Sequence, residues 1–179
     1  MGKKKTRYEV ILAGSGGQGL VLAGIMLGEA AMREGRRVAQ TQTYEAATRG
    51  GFSMAEVIID REEILFQQVQ RPDIVLALTE ESMGKFAHHA PEGTPVFYDT
   101  TLVKPRKGKN MEGFPFTQIA SEMGNVASIN VLALGAIIAR VPVVKRASLE
   151  EILRSRFRGA ALELNLRVFA KGEKLIGHL

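Results

Sequence analysis

The chain of 179 residues lacks cysteine and tryptophan and contains only three histidines. Without a thiol it has no disulfide, no thiolate nucleophile and no cysteine ligand for zinc or an iron–sulfur cluster. The histidines, His88, His89 and His178, have no carboxylate partner at a metal-ligand spacing. No acid–base pair stands out either, so we assign no metal site and no catalytic residue to this chain.

Long apolar runs are missing as well. The most apolar segment, "VASINVLALGAIIARV" at 126–141, is too short to cross a bilayer and contains Ser128 and Asn130, which favours a buried helix. The basic start "MGKKKTR" is not followed by a signal-peptide core, so residues 1–7 are expected to form a flexible arm. The sequence predicts a cytoplasmic protein with no membrane partner.

The positive charge is concentrated at one end of the chain. Residues 140–179 hold nine basic and four acidic side chains, whereas residues 1–139 hold fifteen of each. A basic helical surface is typical of a solvated face, and it also suits an acidic partner. Because no aromatic residues interleave with these cations and no nucleic-acid motif accompanies them, we expect no nucleic-acid partner.

The order of apolar runs predicts an α/β fold: a Rossmann-like three-layer domain with a mostly parallel sheet and helices at the C-terminal end. A first strand, helix and second strand form a βαβ unit whose strands are expected to be parallel. The alternating third strand suits an antiparallel neighbour. The predicted strands are 8–14, 36–42, 52–60, 71–79 and 94–100, with helices at 17–35 and 80–90.

Beyond the last predicted strand, the segment 104–116 is rich in Lys, Gly and Pro and is predicted to be a loop. Only helices are expected after it. Ser148 and Glu151 have the spacing of a capping box, which predicts a helix that begins at Ser148. The predicted late helices are 118–123, 126–140, 148–157 and 160–171.

A glycine-rich loop joins the first strand to the first helix. Gly14, Gly16 and Gly19 fit the pattern G-x-G-x-x-G, in which free backbone N–H groups and a helix dipole favour a phosphate. The alternative is that the glycines serve only a sharp turn and close packing. A dinucleotide site also needs an acid at the end of the second strand. Gln40 and Gln42 stand there instead, so a standard NAD site is disfavoured.

Two further features bear on function. The segment "TYEAATRGG" at 43–51 places Arg49 on a loop near the same sheet edge, where its guanidinium suits a carboxylate or phosphate; the alternative is an ordinary surface arginine. The helix after the glycine loop is apolar on nearly all sides. Together with the apolar segment 126–141, it predicts that the isolated chain self-associates, as a homodimer.

These segments together resemble the gamma subunit of 2-oxoacid:ferredoxin oxidoreductases, most closely the 2-oxoglutarate type. The resemblance covers about residues 8–140 and rests on G-x-G-G-Q-G followed by Y-x(4)-R-G-G. The chain departs from the family at Glu45, Ala46 and Ala47, where Gly-Pro-Glu is usual. The resemblance implies ligand-binding positions in both loops and one in the late helix: Gly14, Ser15, Gly16, Gly17, Gln18, Gly19, Tyr44, Arg49, Gly50, Gly51 and Asn130.

The resemblance also implies a function for the whole chain. It is expected to form one gamma-type domain, residues 1–179, that is inactive alone. Its partners would be alpha and beta subunits, with a ferredoxin-like delta subunit in some complexes. Such a complex decarboxylates a 2-oxoacid, forms an acyl-CoA and reduces ferredoxin. Thiamine diphosphate, magnesium and 4Fe-4S clusters would lie on the partner chains, and this chain would contact coenzyme A. A stand-alone dinucleotide-binding redox enzyme and an indolepyruvate-type subunit remain alternatives.

Overall fold

A six-stranded mixed sheet lies at the centre of the structure, a computed structural model that describes residues 5–45, 50–88 and 90–177. Its spatial order is β2-β3-β1-β4-β5-β6. Strands β1, β4, β5 and β6 run parallel to one another. The strands are β1 (Tyr8–Ser15), β2 (Arg37–Tyr44), β3 (Phe52–Asp60), β4 (Ile74–Ala77), β5 (Val96–Asp99) and β6 (Met111–Phe114).

The antiparallel strand β3 separates β1 from β2. In the pairing of β3 with β1, Phe52 lies opposite Ser15. In the pairing of β3 with β2, Ser53 lies opposite Tyr44. The first two strands therefore run in the same direction, as predicted, but they are not neighbours. This insertion moves the end of β2 one strand farther from the glycine loop than in a dinucleotide-binding fold, in which the second strand lies beside the first.

Helices cover the two faces of the sheet unequally. Helices α1, α4, α5 and α6 pack with α3 on one face, over the larger apolar core. The other face is covered by the short α2 and by loops, over a smaller core that includes Ile11, Val75 and Tyr98. The helices are α1 (Leu20–Arg33), α2 (Glu80–Phe86), α3 (Phe116–Glu122), α4 (Ile129–Arg140), α5 (Arg146–Arg156) and α6 (Gly159–Ile176), and a 3₁₀ turn (Val126–Ser128) precedes α4. The predicted α/β fold is confirmed.

The apolar helices are covered by the chain itself. Gly24 and Gly28 place α1 directly on β2 and β3, because a Cβ at Gly28 would lie 3.0 Å from Val38. Helices α4 and α6 cross so closely that a Cβ at Gly135 would lie 2.3 Å from the Phe169 carbonyl oxygen. Every residue from Ile129 to Ile138 is buried. Helix α4 is therefore covered within the chain, while Met32 on α1 is 55% exposed and Val126 is 49% exposed; the predicted homodimer stays a prediction.

Two local predictions are also wrong. Part of the segment predicted as a loop forms the edge strand β6, since pairing with β5 outweighs the weak strand propensity of its glycine. Helix α5 begins at Arg146 and not at Ser148. The amide of Lys145 donates to the Glu34 carboxylate at 2.6 Å, so a tertiary contact fixes the helix start and the Ser148–Glu151 capping box does not form.

The segment before β1 is held at the amino ends of the parallel strands. Lys5 forms an ion pair with Asp73, and Arg7 contacts Glu9 at 2.8 Å and Asp60 at 3.4 Å. Among the helices in the described ranges, none is long and apolar enough to cross a membrane.

Candidate ligand site at the carboxyl end of the sheet

The glycine loop lies at the carboxyl end of β1 and leads into α1. Gly17 and Gly19 have φ of +92° and +70°, in the left-handed region where a side chain is strained. Gly14 is required for another reason. A Cβ there would lie 2.2 Å from Oε1 of Gln18, because the Gln18 side chain folds across Gly14 and accepts the Ser15 amide at 2.8 Å.

Asn130 holds the loop from its other side. Its buried side chain donates from Nδ2 to the Gly19 carbonyl oxygen at 3.1 Å. The same carbonyl accepts the first internal helical bond, from Ala23 at 2.9 Å. A Cβ at Gly19 would lie 2.5 Å from that Nδ2 atom. The amides of Gln18 and Asn130 therefore both bond to loop backbone and fix its shape.

Several backbone donors of this loop have no acceptor among the residues that the structure describes. They are the amides of Gly17, Gly19 and the first turn of α1, Leu20 to Leu22. The first turn of α1 contains no acidic residue, and Gly19 provides no side-chain cap. A helix N-terminus with unsatisfied N–H groups has partial positive charge and favours an anion. The amides of this loop are therefore available to an anion, and the binding role predicted for the loop stays a prediction.

The second predicted loop lies against the first. The Gly16 amide donates to the Gly51 carbonyl oxygen at 2.8 Å, and the Glu45 amide donates to Phe52 at 3.0 Å. Gly50 has φ of +67°. Tyr44, at the end of β2, is 59% exposed. Residues 46–49 lie outside the described residues, so the placement predicted for Arg49 stays a prediction.

Sequence reasoning missed the anchor of this second loop, Lys85. Its ammonium lies 3.0 Å from Glu45, 2.8 Å from Glu81 and 3.9 Å from the centroid of the Phe52 ring. The hydrogen bonds to Glu81 and then Glu45 raise its pKa above the ordinary lysine value. The i,i+4 spacing of Glu81 and Lys85 predicts the pair within α2; nothing in the sequence indicates the contact to Glu45.

A basic loop follows β5 at the same end of the sheet. Glu80 anchors it, accepting the Lys104 amide at 2.7 Å and the Arg106 guanidinium at 2.5 Å. The hydrogen bond from the Lys104 amide is the largest cause that lowers the pKa of Glu80; together with the Arg106 charge it outweighs desolvation. Only β4 separates β5 from β1, so the two loops start about 10 Å apart. Lys107 and Lys109 belong to this loop.

Asp99, the last residue of β5, is a buried carboxylate that sequence reasoning did not single out. It accepts the Thr101 amide at 3.0 Å and the Thr117 hydroxyl at 2.5 Å. Its oxygens therefore hold the turn after β5 against the start of α3. Within the described ranges no group of three or more His, Cys, Asp or Glu side chains is placed to bind a metal ion.

The fold and this loop define an α/β domain whose first strand leads through a glycine-rich turn, with free backbone amides, into the first helix. The family model of pyruvate ferredoxin/flavodoxin oxidoreductase matches residues 9–175. The 2-oxoglutarate synthase subunit KorC of Methanocaldococcus jannaschii is 36% identical, over 98% of this chain and 97% of that protein. The chain belongs to the pyruvate ferredoxin/flavodoxin oxidoreductase family.

Solved structures agree with this assignment. The gamma subunit of a keto/oxoacid ferredoxin oxidoreductase from Geobacter sulfurreducens PCA matches with a TM-score of 0.82 at 33% identity, over 96% of this chain and 99% of that chain. The 2-oxoglutarate:ferredoxin oxidoreductase of Magnetococcus marinus, solved with 2-oxoglutarate, coenzyme A and succinyl-CoA, matches with a TM-score of 0.86 at 28% identity. That match covers 98% of this chain and 32% of the longer chain.

Proposed function

We propose that this chain is the non-catalytic gamma subunit of a 2-oxoacid:ferredoxin oxidoreductase of the 2-oxoglutarate type. The complex oxidatively decarboxylates the 2-oxoacid to an acyl-CoA and passes the electrons to ferredoxin in the cytoplasm. The observation that supports this most strongly is the full-length similarity to a 2-oxoglutarate synthase subunit. The gamma-subunit fold of the Geobacter sulfurreducens relative supports it as well.

The chain's own residues do not suit the redox cofactors of such a complex. It has no cysteine for a 4Fe-4S cluster. Thiamine diphosphate, its magnesium ion and the clusters therefore belong to alpha, beta and, where present, delta subunits. The residues here do suit one substrate, coenzyme A, which presents phosphates to a protein surface. The free amides of Gly17, Gly19 and the first turn of α1 would donate hydrogen bonds to a phosphate, and the nearby cations of the 104–109 loop would add attraction.

The two alternatives differ from this proposal in measurable ways. A stand-alone dinucleotide enzyme would need an acid beside the glycine loop for the ribose hydroxyls. The strand that occupies that position is β3, and its residues beside the loop are Phe52 and Ser53, neither of which is acidic. An indolepyruvate-type subunit would share the gamma fold but would act in a complex that prefers aromatic 2-oxoacids.

The test compares the purified chain with the complex isolated from the native source. Reduction of a redox dye is measured with 2-oxoglutarate, pyruvate or indolepyruvate, each with and without coenzyme A. We expect no turnover by the chain alone, and coenzyme A-dependent turnover with 2-oxoglutarate by the complex. Turnover by the pure chain, or a tightly bound nicotinamide or flavin, would establish the dinucleotide enzyme. Preference for indolepyruvate would establish the other subunit type.

A further inference from the structure

The outer edge of β2 presents a row of backbone groups to solvent. Hydrogen bonds in an antiparallel ladder alternate between the two sides of a strand. The Glu45 amide donates a hydrogen bond to the Phe52 carbonyl oxygen. Because bonded residues alternate along the strand, the odd-numbered residues of β2 form the hydrogen bonds to β3. Even-numbered residues direct their N–H and C=O groups outward. The residues with outward backbone groups are Val38, Gln40, Gln42 and Tyr44. Within residues 5–45, 50–88 and 90–177, none of their backbone N–H and C=O groups has a hydrogen-bond partner.

The strand itself lacks the features that usually prevent strand addition, although the segment with Glu63, Ile64 and Gln67 flanks its first half. Natural proteins protect exposed edges with short strands, proline, bulges or charges within the strand. Strand β2 has eight residues, no proline and continuous register with β3, and its only charge is Arg37 at its first position. The opposite edge strand, β6, has only four residues. The sheet therefore has one short edge strand and one long edge strand, and Arg37 and residues 42–44 are the exposed part of the long one.

We propose that the β2 edge pairs with β2 of a second copy of this chain, in antiparallel register about a two-fold axis at Thr41. In this register Val38 forms a hydrogen-bonded pair with the second copy's Tyr44, and Gln40 pairs with its Gln42. All four outward residues of each copy are then satisfied. The inference concerns the chain's own edge and does not depend on the proposed enzymatic function.

The side chains brought together in this register suit each other. Arg37, for which the structure gives no ion pair within the described residues, lies opposite Glu45 of the second copy. Val38 lies opposite Tyr44, an aromatic ring that is 59% exposed in the single chain. Thr41 meets Thr41, and Ala39 meets Thr43. Opposite charges, aromatic–aliphatic pairs and threonine pairs are favourable across strands, so the strand is complementary to itself.

The segment beside the same edge carries polar and apolar side chains, and Glu63 and Gln67 line a cleft together with Ile64. This cleft of about 410 Å³ separates residues 37–40 from the segment that includes Ile64. The next two residues, Leu65 and Phe66, are 88% and 50% exposed. A second copy seated on the edge would cover part of this surface. An interface between two copies thus gains apolar burial in addition to the strand ladder.

Cross-linking tests the register directly, because the natural chain has no cysteine. In a two-fold pairing at Thr41, the two Thr41 Cα atoms lie about 4.5 Å apart, within the range for a disulfide. We expect Thr41→Cys to form a disulfide dimer under mild oxidation. Thr43→Cys is the matched control, since two Thr43 residues would lie about 13 Å apart. A mixture of Ala39→Cys and Thr43→Cys chains should cross-link, as these positions face each other.

Sedimentation velocity and hydrogen exchange on the cysteine-free chain test the same surface without covalent trapping. We expect a dimer that dissociates on dilution and, in the dimer, slowed amide exchange at residues 38, 40, 42 and 44. Arg37→Glu should weaken the dimer at least tenfold by facing Glu45, and the uncharged Arg37→Gln should weaken it less.

Three results would overturn the proposal. One is a monomer at all concentrations with fast exchange at the outward amides. Another is cross-linking of Thr43→Cys that equals or exceeds that of Thr41→Cys. The third is protection of the β2 edge only after partner subunits bind, which would assign the edge to a strand of another subunit.

Discussion

The two ends of the parallel strands differ in how their polar groups are satisfied. At the amino end, clefts of about 590 and 390 Å³ open around Tyr8, and several of their charged groups pair within the chain, as in Lys5 with Asp73 and Arg36 with Glu34. At the carboxyl end, the glycine loop leaves several amides without acceptors in the described part of the chain. Unsatisfied donors, and not free volume, distinguish the end proposed to bind a ligand from the other end.

The largest expected effect is the loss of coenzyme A binding when charge is added at the carboxyl end. A Cβ at Gly16 would lie 3.6 Å from the Gly51 oxygen, so the backbone accommodates a side chain. Gly16→Asp should weaken coenzyme A binding to the assembled complex by about 100-fold, close to 3 kcal/mol, because its carboxylate repels the phosphates. Isothermal titration calorimetry measures this change.

The control for that variant is Gly16→Asn, which has nearly the same shape and no charge. It should lose far less affinity than Gly16→Asp. Equal coenzyme A affinity of the wild-type and Gly16→Asp complexes would remove the ligand role from the glycine loop.

A smaller effect is expected on the stability of the same loop. In Gly19→Ala, the new Cβ would lie 2.5 Å from Nδ2 of Asn130, and the residue would have to keep a left-handed backbone conformation. For both reasons the substitution should lower the free energy of unfolding by about 2 to 3 kcal/mol. Denaturant titration of the double variant Gly19→Ala/Asn130→Ala should show coupling, because removing Asn130 relieves the contact. Strictly additive losses would contradict the described contact.

At the amino end, Glu9 should matter for stability and not for ligand binding. Its buried carboxylate accepts the amides of Gln70 at 2.8 Å and Arg71 at 2.9 Å and pairs with Arg7. Glu9→Gln should lower the free energy of unfolding by about 1.5 kcal/mol, while coenzyme A affinity of the complex stays unchanged. A change in affinity without a change in stability would reverse the roles assigned to the two ends.

The smallest effect concerns pH. Burial disfavours the Glu9 charge, but the hydrogen bonds from Arg71, Arg7 and Gln70 outweigh it and lower its pKa. A lowered folded-state pKa adds stability above the unfolded value, about 4.3, that is lost as pH falls through the folded value. The stability difference between wild type and Glu9→Gln should therefore shrink below about pH 4. A difference that stays constant from pH 6 to pH 3 would contradict this.

The sequence predicts the features that depend on local pattern. The glycine loop, the buried helix that contains Asn130 and the parallel strands follow from residue spacing and apolar runs. The position of β3 between β1 and β2 does not, because the sequence of a strand contains no information about which neighbour it takes. The same holds for β6, whose pairing partner β5 stabilises a segment with weak strand propensity.

Within the site, long-range contacts escape prediction for the same reason. That Gln18 folds across Gly14 follows from no pattern, although both residues belong to the motif. The bond from Gly16 to Gly51 and the ion pair of Lys85 with Glu45 join segments more than thirty residues apart. Such contacts depend on the assembled sheet, so sequence spacing indicates which residues are special but not what they contact.

The most direct test compares one glycine from each end of the sheet. Gly17 and Gly93 have φ of +92° and +82°, and a Cβ at either would meet nothing within 4 Å. Alanine at each should therefore cost the same stability, about 1 kcal/mol. Calorimetry of assembled complexes should show coenzyme A affinity reduced about tenfold by Gly17→Ala, whose methyl group obstructs the free amides, and unchanged by Gly93→Ala. Equal affinities for the two variants would contradict the assignment of the ligand site to the carboxyl end.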